Sequence, residues 1–248
     1  MELQRILDTL RYGELANVYT EDKQDQLVTF INLGLTQLYS KFPISEKQIA
    51  IQQYPQISLY KLTREFARTN RDRPTPLIGD DLCEPEEPLK EHHHHHVIHK
   101  YILDNPHDPF MGDVLFISSV FDETGHPIPL NDDNNPHSFF TPSFDTLQIP
   151  NANENETSFI IYRAQPKYLK VGKYNLEDNI YLPECLLEAL TSYVGFKSLQ
   201  SMGGAENIQI AQALYQRFTE VCSNVITDNL LGNNVSPTNI KLRMRGYV

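Results

Sequence analysis

The sequence predicts an α+β protein: an antiparallel helical bundle formed by the N- and C-terminal helices, an inserted small β-rich domain, and an extended C-terminal arm. Three changes of period give this reading. Apolar residues recur at steps of three and four near both ends and alternate at steps of two through the middle. After Gly232 they alternate again, this time against basic residues. The expected parts are 1–43 with 172–231 for the bundle, 44–171 for the insertion and 232–248 for the arm.

Taken in order, Leu3, Ile6, Leu7 and Leu10 define one face of a short amphipathic helix that Gly13 ends. A stronger helix follows Thr20-Glu21-Asp22. It turns Leu27, Phe30 or Ile31, Gly34 or Leu35, Leu38 and Phe42 to one side and is stopped by Pro43. From Ile44 the period changes. Segments 48–53, 57–62, 97–103, 114–121, 146–149 and 158–168 read as strands. Asp122-Glu123-Thr124-Gly125 and Asn131-Asp132-Asp133-Asn134-Asn135 supply turns. A proline-rich, acidic loop spans about 69–96, with Asp80, Asp81, Glu84, Glu86 and Glu87.

Leu182-Pro183-Glu184 then opens the second helical end. Proline is tolerated at a first helical position, and an acid in the first turn is favoured by the helix dipole. Leu186, Ala189, Leu190, Tyr193 and Phe196 share a face, and Gly203-Gly204 stops the helix. A last helix from near Glu206 places Ile208, Ala211, Tyr215, Phe218, Cys222 and Val225 on a coiled-coil-like seam. Two such helices around a Gly-Gly corner predict an αα-hairpin. The residues expected to pack the helices are Leu27, Ile31, Leu38, Leu186, Tyr193, Ile208, Tyr215, Phe218 and Val225. Tyr12 and Tyr39 also fall at core-like positions. For the first helices to bury their apolar faces, the two ends of the chain must meet.

In the arm, Ile240, Leu242 and Met244 alternate with Lys241, Arg243 and Arg245, and Tyr247 follows. Its three basic side chains have no acidic neighbour, in a chain of net charge −11. Such a strand either adds to another protein's sheet or folds back as an edge strand.

A chain of 248 residues suffices for one large domain or two small ones. Its acidity argues against a protein that grips nucleic acid through phosphates. Apolar runs such as 114–117 are too short to span a bilayer and no signal peptide is evident, so a soluble, intracellularly made protein is expected, with no membrane partner. Cys83, Cys185 and Cys222 make no metal or redox spacing, and Cys185 and Cys222 are expected to be small core residues.

The five histidines at 92–96, with His99, are the most visible candidate for chemistry, since imidazole ligates transition metals. A consecutive run does not set ligands on one helical face, and a solvated low-complexity run is the expected reading. His107, His126, Ser118, Ser119, Glu86-Glu87 and Asp132-Asp133 fit no nucleophile elbow, P-loop or zinc-protease spacing. The expectation is no enzyme, no cofactor and no metal site.

Several stretches taken in order resemble the head-to-tail adaptor (connector) proteins of short-tailed bacteriophages. They are Arg11-Tyr12-Gly13-Glu14-Leu15, Phe30-Ile31-Asn32-Leu33-Gly34-Leu35-Thr36-Gln37-Leu38-Tyr39 and Lys41-Phe42-Pro43 at the start. In the insertion they are Gly125-His126-Pro127-Ile128-Pro129-Leu130-Asn131-Asp132 and Tyr162-Arg163-Ala164, and in the closing hairpin Leu182-Pro183-Glu184, Ala189-Leu190 and Tyr193-Val194. The histidine run and the acidic loop depart from the pattern.

The resemblance implies a virion structural protein at the capsid vertex, made in the host cytoplasm. It would form a homo-oligomeric ring, a dodecamer, between the portal protein and a tail or nozzle protein, with genomic DNA passing through the lumen unbound. The arm would reach the portal, ordering as it docks. Two alternatives stay open: a tail-tube, stopper or other tail-completion component, and a virion-associated metal-dependent or lytic enzyme.

Overall fold

A computed structural model describes residues 1–16, 23–70, 99–154 and 156–232. The histidines at 92–96, Cys83, the acidic loop at 80–87 and the arm residues Ile240, Lys241, Leu242, Arg243, Met244, Arg245 and Tyr247 lie outside the described residues. The fold is mixed α+β, with four helices and two antiparallel sheets. The chain divides into two compact units, Met1–Glu46 with Arg163–Val248, and Lys47–Tyr162.

In the first unit, α1 (Leu3–Tyr12) buries Leu3, Ile6, Leu7 and Leu10. Its first N–H groups lack intrahelical acceptors, and the returning chain supplies two. Leu3 donates to the Asp178 carbonyl (3.0 Å) and Gln4 to that of Leu176 (2.9 Å). Arg5 adds a two-pronged contact to Glu184 (2.5 and 2.9 Å), exposed to solvent and therefore of small energetic weight. Tyr12, expected in the core, is 77% exposed, because it falls past the last apolar turn of the helix.

Helix α2 (Gln24–Lys41) buries Leu27, Val28, Ile31, Gly34, Leu35, Leu38 and Tyr39. The Tyr39 hydroxyl donates to the Tyr181 carbonyl at 2.6 Å. Burial, and then the nearby Tyr181, push this phenol up to about 12, so it stays protonated and a donor.

Glu184–Leu186 form a 3-10 turn that leads into α3 (Leu187–Met202). Helix α3 is buried on nearly every side because α1, α2 and α4 all pack against it. Small residues permit this crowding. A Cβ on Gly195 would sit 2.9 Å from a Leu214 methyl and 3.1 Å from Glu14 Cβ. Gly203 and Gly204 turn the corner with φ of 69° and 84°, left-handed values that glycine adopts without strain.

Helix α4 (Ala205–Thr227) buries only Ala211, Phe218, Cys222 and Val225. Ile208 and Tyr215, expected in the same seam, are each 45% exposed. The reason is geometric: α4 packs mainly on α3, and one neighbour covers a narrower stripe than a full heptad face. Cys185, on the 3-10 turn, is half-buried and not a core residue.

The second unit holds both sheets. One is ordered β3-β1-β8-β4-β5 and the other β2-β7-β6. The strands are β1 (Glu46–Gln52), β2 (Leu59–Lys61), β3 (Ile102–Leu103), β4 (Val114–Phe121), β5 (Pro127–Ile128), β6 (Phe140–Ser143), β7 (Thr146–Gln148) and β8 (Thr157–Ala164). Strand β8 buries every second residue (Ser158, Ile160, Tyr162, Ala164), as its alternation predicts, and ends before Pro166 instead of continuing to 168. Register is fixed by pairs such as Ile51 with Ile102 and Tyr60 with Leu147. Tyr101 joins the sheets: its hydroxyl donates to the Lys61 carbonyl (2.8 Å) and its ring meets Tyr60 edge-on and stacks on Phe66.

The Asp104 carboxylate ties three segments together. It accepts from the Thr69 N–H (2.9 Å), the Thr69 hydroxyl and the Phe110 N–H (3.0 Å). Burial works to raise its pKa, but these donors outweigh burial and the value is lowered. A lowered folded-state value means that the contribution is complete above the ordinary 3.8 and is lost as pH falls through the folded value. Asp104→Ala is therefore expected to cost about 1–3 kcal/mol at neutral pH, since it strands buried donors. The deficit should narrow below pH 3.8, as read from urea midpoints at several pH values. A deficit that does not change with pH would show that the carboxylate charge is not the source.

Candidate functional surfaces

The side chains singled out for chemistry are occupied in building turns. Asp122 closes the β4–β5 hairpin by accepting from the N–H groups of Thr124 (2.9 Å) and His126 (2.8 Å) and from the Thr124 hydroxyl (2.7 Å). His126 Nδ1 lies 2.6 Å from Thr124 Oγ1 and 3.6 Å from Asp122, on an exposed tip. Burial works against the Asp122 charge, but the Thr124 and His126 donors prevail and its pKa is lowered. Asp, Thr and His are thus adjacent, but the carboxylate holds the hydroxyl and the backbone and does not orient the imidazole.

His107 and Asp132 sit in similar turns. The His107 N–H donates to Asn105 Oδ1, and Asp132 Oδ1 accepts from the Asn134 N–H. His99 packs its ring on Tyr54. Ser118 Oγ is buried with no hydrogen-bond partner. No group of three His, Cys, Asp or Glu suited to a metal ion occurs among the described residues. No described helix is long and apolar enough to cross a membrane.

The second unit has a cleft of about 370 Å³, lined in part by Gln53, Glu123, His137, Asn153, Glu156 and Ser158. Its buried polar groups already have partners. Gln53 donates to Ser158 Oγ (2.8 Å) and accepts from the Asn153 N–H (3.0 Å). Glu123 accepts from the Thr157 N–H (2.6 Å), and Asn153 donates to Glu156 (2.9 Å). These bonds fasten the 151–157 segment to its neighbours and leave no nucleophile paired with a base.

Of the residues expected to pack the helices, Leu27, Ile31, Leu38, Leu186, Tyr193, Phe218 and Val225 are buried. Four aromatic rings join α3 to α4. Tyr193 lies 5.3 Å from Phe218, and Phe196 lies 5.0 Å from Tyr215, between ring centroids. Lys41 Nζ sits 4.7 Å above the Phe218 ring and links the end of α2 to the cluster.

Outside this core, two stretches of the first unit leave large apolar side chains in solvent. One is α4 and its end, with Ile208, Tyr215, Ile226 and Leu230. The other is the outer side of α2, where the 167–173 segment is pinned. The Asn32 carboxamide accepts from the Leu169 N–H (3.0 Å) and donates to the Leu169 carbonyl (2.9 Å), and Thr36 Oγ1 meets the Tyr168 hydroxyl (3.1 Å). Leu169 is thereby buried, while Lys167, Tyr168, Lys170, Val171 and Lys173 face solvent. This basic segment was not anticipated, because its residues read as the end of a strand and a linker. The signal available was three lysines at a spacing of three with no acid among them.

No protein-family model matches the chain, and no curated protein matches it.

Proposed function

We propose that the protein is a structural adaptor of a short-tailed bacteriophage virion, forming a ring between the portal and the tail through which genomic DNA passes. The observation that carries this reading is the division of labour among its side chains. Potentially reactive groups are engaged in turns and loop fastenings, whereas large apolar groups are left outside the helical unit. The reading is further supported by the make-up of that unit, which draws on both ends of the chain while the β sheets form the other unit.

In this proposal the four helices act as a rigid antiparallel bundle, and lateral contacts close copies into a ring, a dodecamer. A heterologous interface that closes by rotation needs no self-complementary patch. The arm reaches the portal, where Ile240, Leu242 and Met244 pair as a strand and Lys241, Arg243 and Arg245 meet acidic groups. Ordering the arm costs entropy, and a ring offsets this by repeating a modest contact in every copy. The net charge of −11 lets phosphates pass without adhering. A tail or nozzle protein binds the far side, and the protein is made in the host cytoplasm before it joins the particle.

Deleting residues 240–248 is expected to leave a folded protein that no longer binds its portal in pull-down or sedimentation assays. Full-affinity docking by the truncated chain would refute the role of the arm.

A further inference from the structure

We infer that α4 and the lysine-bearing 167–173 segment are the two halves of one contact between successive copies of this chain. The inference rests on the ring reading for closure alone; the surfaces themselves come from charge and exposure.

The two surfaces are unlike. On the outer side of α2, Lys167, Lys170 and Lys173 surround half-exposed Tyr168 and Val171, with Leu33 beside the Asn32 clamp. None of the three lysines makes an ion pair with a described residue. The backbone under them is held by the Asn32 clamp, so the segment is presented ready-formed, which lowers the entropic cost of binding. Phosphate alone would account for the lysines but gives Val171 and Leu33 nothing to bury against. Apolar groups ringed by cations fit an acidic protein surface with its own apolar centre.

Helix α4 is such a surface. Ile208, Tyr215 and Ile226 stand exposed along one side, flanking the buried stripe. Its acids are Glu206 and Glu220, with Asp228 at its end, and all three are exposed. Its single cation, Arg217, is already engaged by Glu188 at 2.6 Å. A net-acidic helix with an apolar stripe thus complements a basic, apolar segment, and both lie in the same unit of the same chain. Each copy presents one of each, which makes the contact head-to-tail. Opposite charges hasten the encounter, so association weakens as salt rises.

The test uses the full chain, mixed from isotope-labelled and unlabelled protein at low ionic strength and treated with a carbodiimide that joins amines to carboxylates. Cross-links from Lys167, Lys170 or Lys173 to Glu206, Glu220 or Asp228 in mixed-isotope pairs are expected, and fewer at high salt. A chain bearing Lys167→Glu, Lys170→Glu and Lys173→Glu keeps only its α4 surface, and one bearing Ile208→Glu and Ile226→Glu keeps only the lysine surface. Neither should self-associate, and the two mixed should stop at pairs.

The inference is overturned by α4-to-α4 links, by no links, or by association that neither variant alters. It is also overturned if a double-stranded DNA fragment protects the lysines from acetylation while association is indifferent to them. Loss of copy-to-copy links with portal docking intact would refute this contact and leave the adaptor reading standing. Links without portal docking would refute that reading and leave the contact.

Discussion

Phe218→Ala should destabilise the helical unit by about 3–5 kcal/mol, the cost of emptying a large buried aromatic site. Phe218 is only 1% exposed and is the centre of the four-ring cluster, against Tyr193 and Tyr215. Its face also receives the Lys41 ammonium, so the truncation removes a cation–π contact joining α2 to the α3–α4 hairpin. Set against a typical total stability of about 5–15 kcal/mol, such a loss moves the urea midpoint by a large fraction. Tyr215→Ala is the internal control. The ring at 215 is 45% exposed, so its removal should cost distinctly less. Equal costs at the two positions would contradict the stripe geometry given for α4.

Gly34→Val is expected to cost about 2–3 kcal/mol through overpacking. A Cβ at Gly34 would fall 2.6 Å from Leu190 Cδ1 and 3.1 Å from Tyr193 Cδ1, so α2 and α3 touch at this point with no side chain between them. Leu190 is fully buried and has little room to retreat. The alanine variant makes the sharper sign test. At an ordinary helical site Gly→Ala stabilises by about 1 kcal/mol through helix propensity. At Gly34 that gain must be set against displacement of Leu190, and the net effect should be zero or unfavourable. A stabilised Gly34→Ala protein would mean that the helices are not in such close contact.

Much of the helical architecture was legible because its signals are local. Leu3, Ile6, Leu7 and Leu10 mark α1 by spacing alone, Pro43 closes α2, and Gly203-Gly204 turns between α3 and α4. Period identifies a face but does not give its width. Ile208, Tyr215 and Tyr12 follow the helical rhythm and still stand in solvent, since what covers a position depends on which helices pack there.

Among the strands, β4 and β8 were readable as long alternating runs. Strands β5 and β6 were not, and both contain a proline (Pro127 and Pro142). Each lies at a sheet edge, where a missing N–H disrupts no ladder. The candidate surfaces were the least legible part. Lys167, Lys170 and Lys173 become a patch only because Asn32, more than a hundred residues earlier, holds Leu169.

The decisive observation is where the protein sits in an intact infectious particle, as seen by electron cryomicroscopy. A closed ring of copies at the portal vertex, with the tail beyond it, is the outcome predicted for an adaptor. A solitary copy elsewhere in the particle, or particles that assemble tails without this chain, would contradict it.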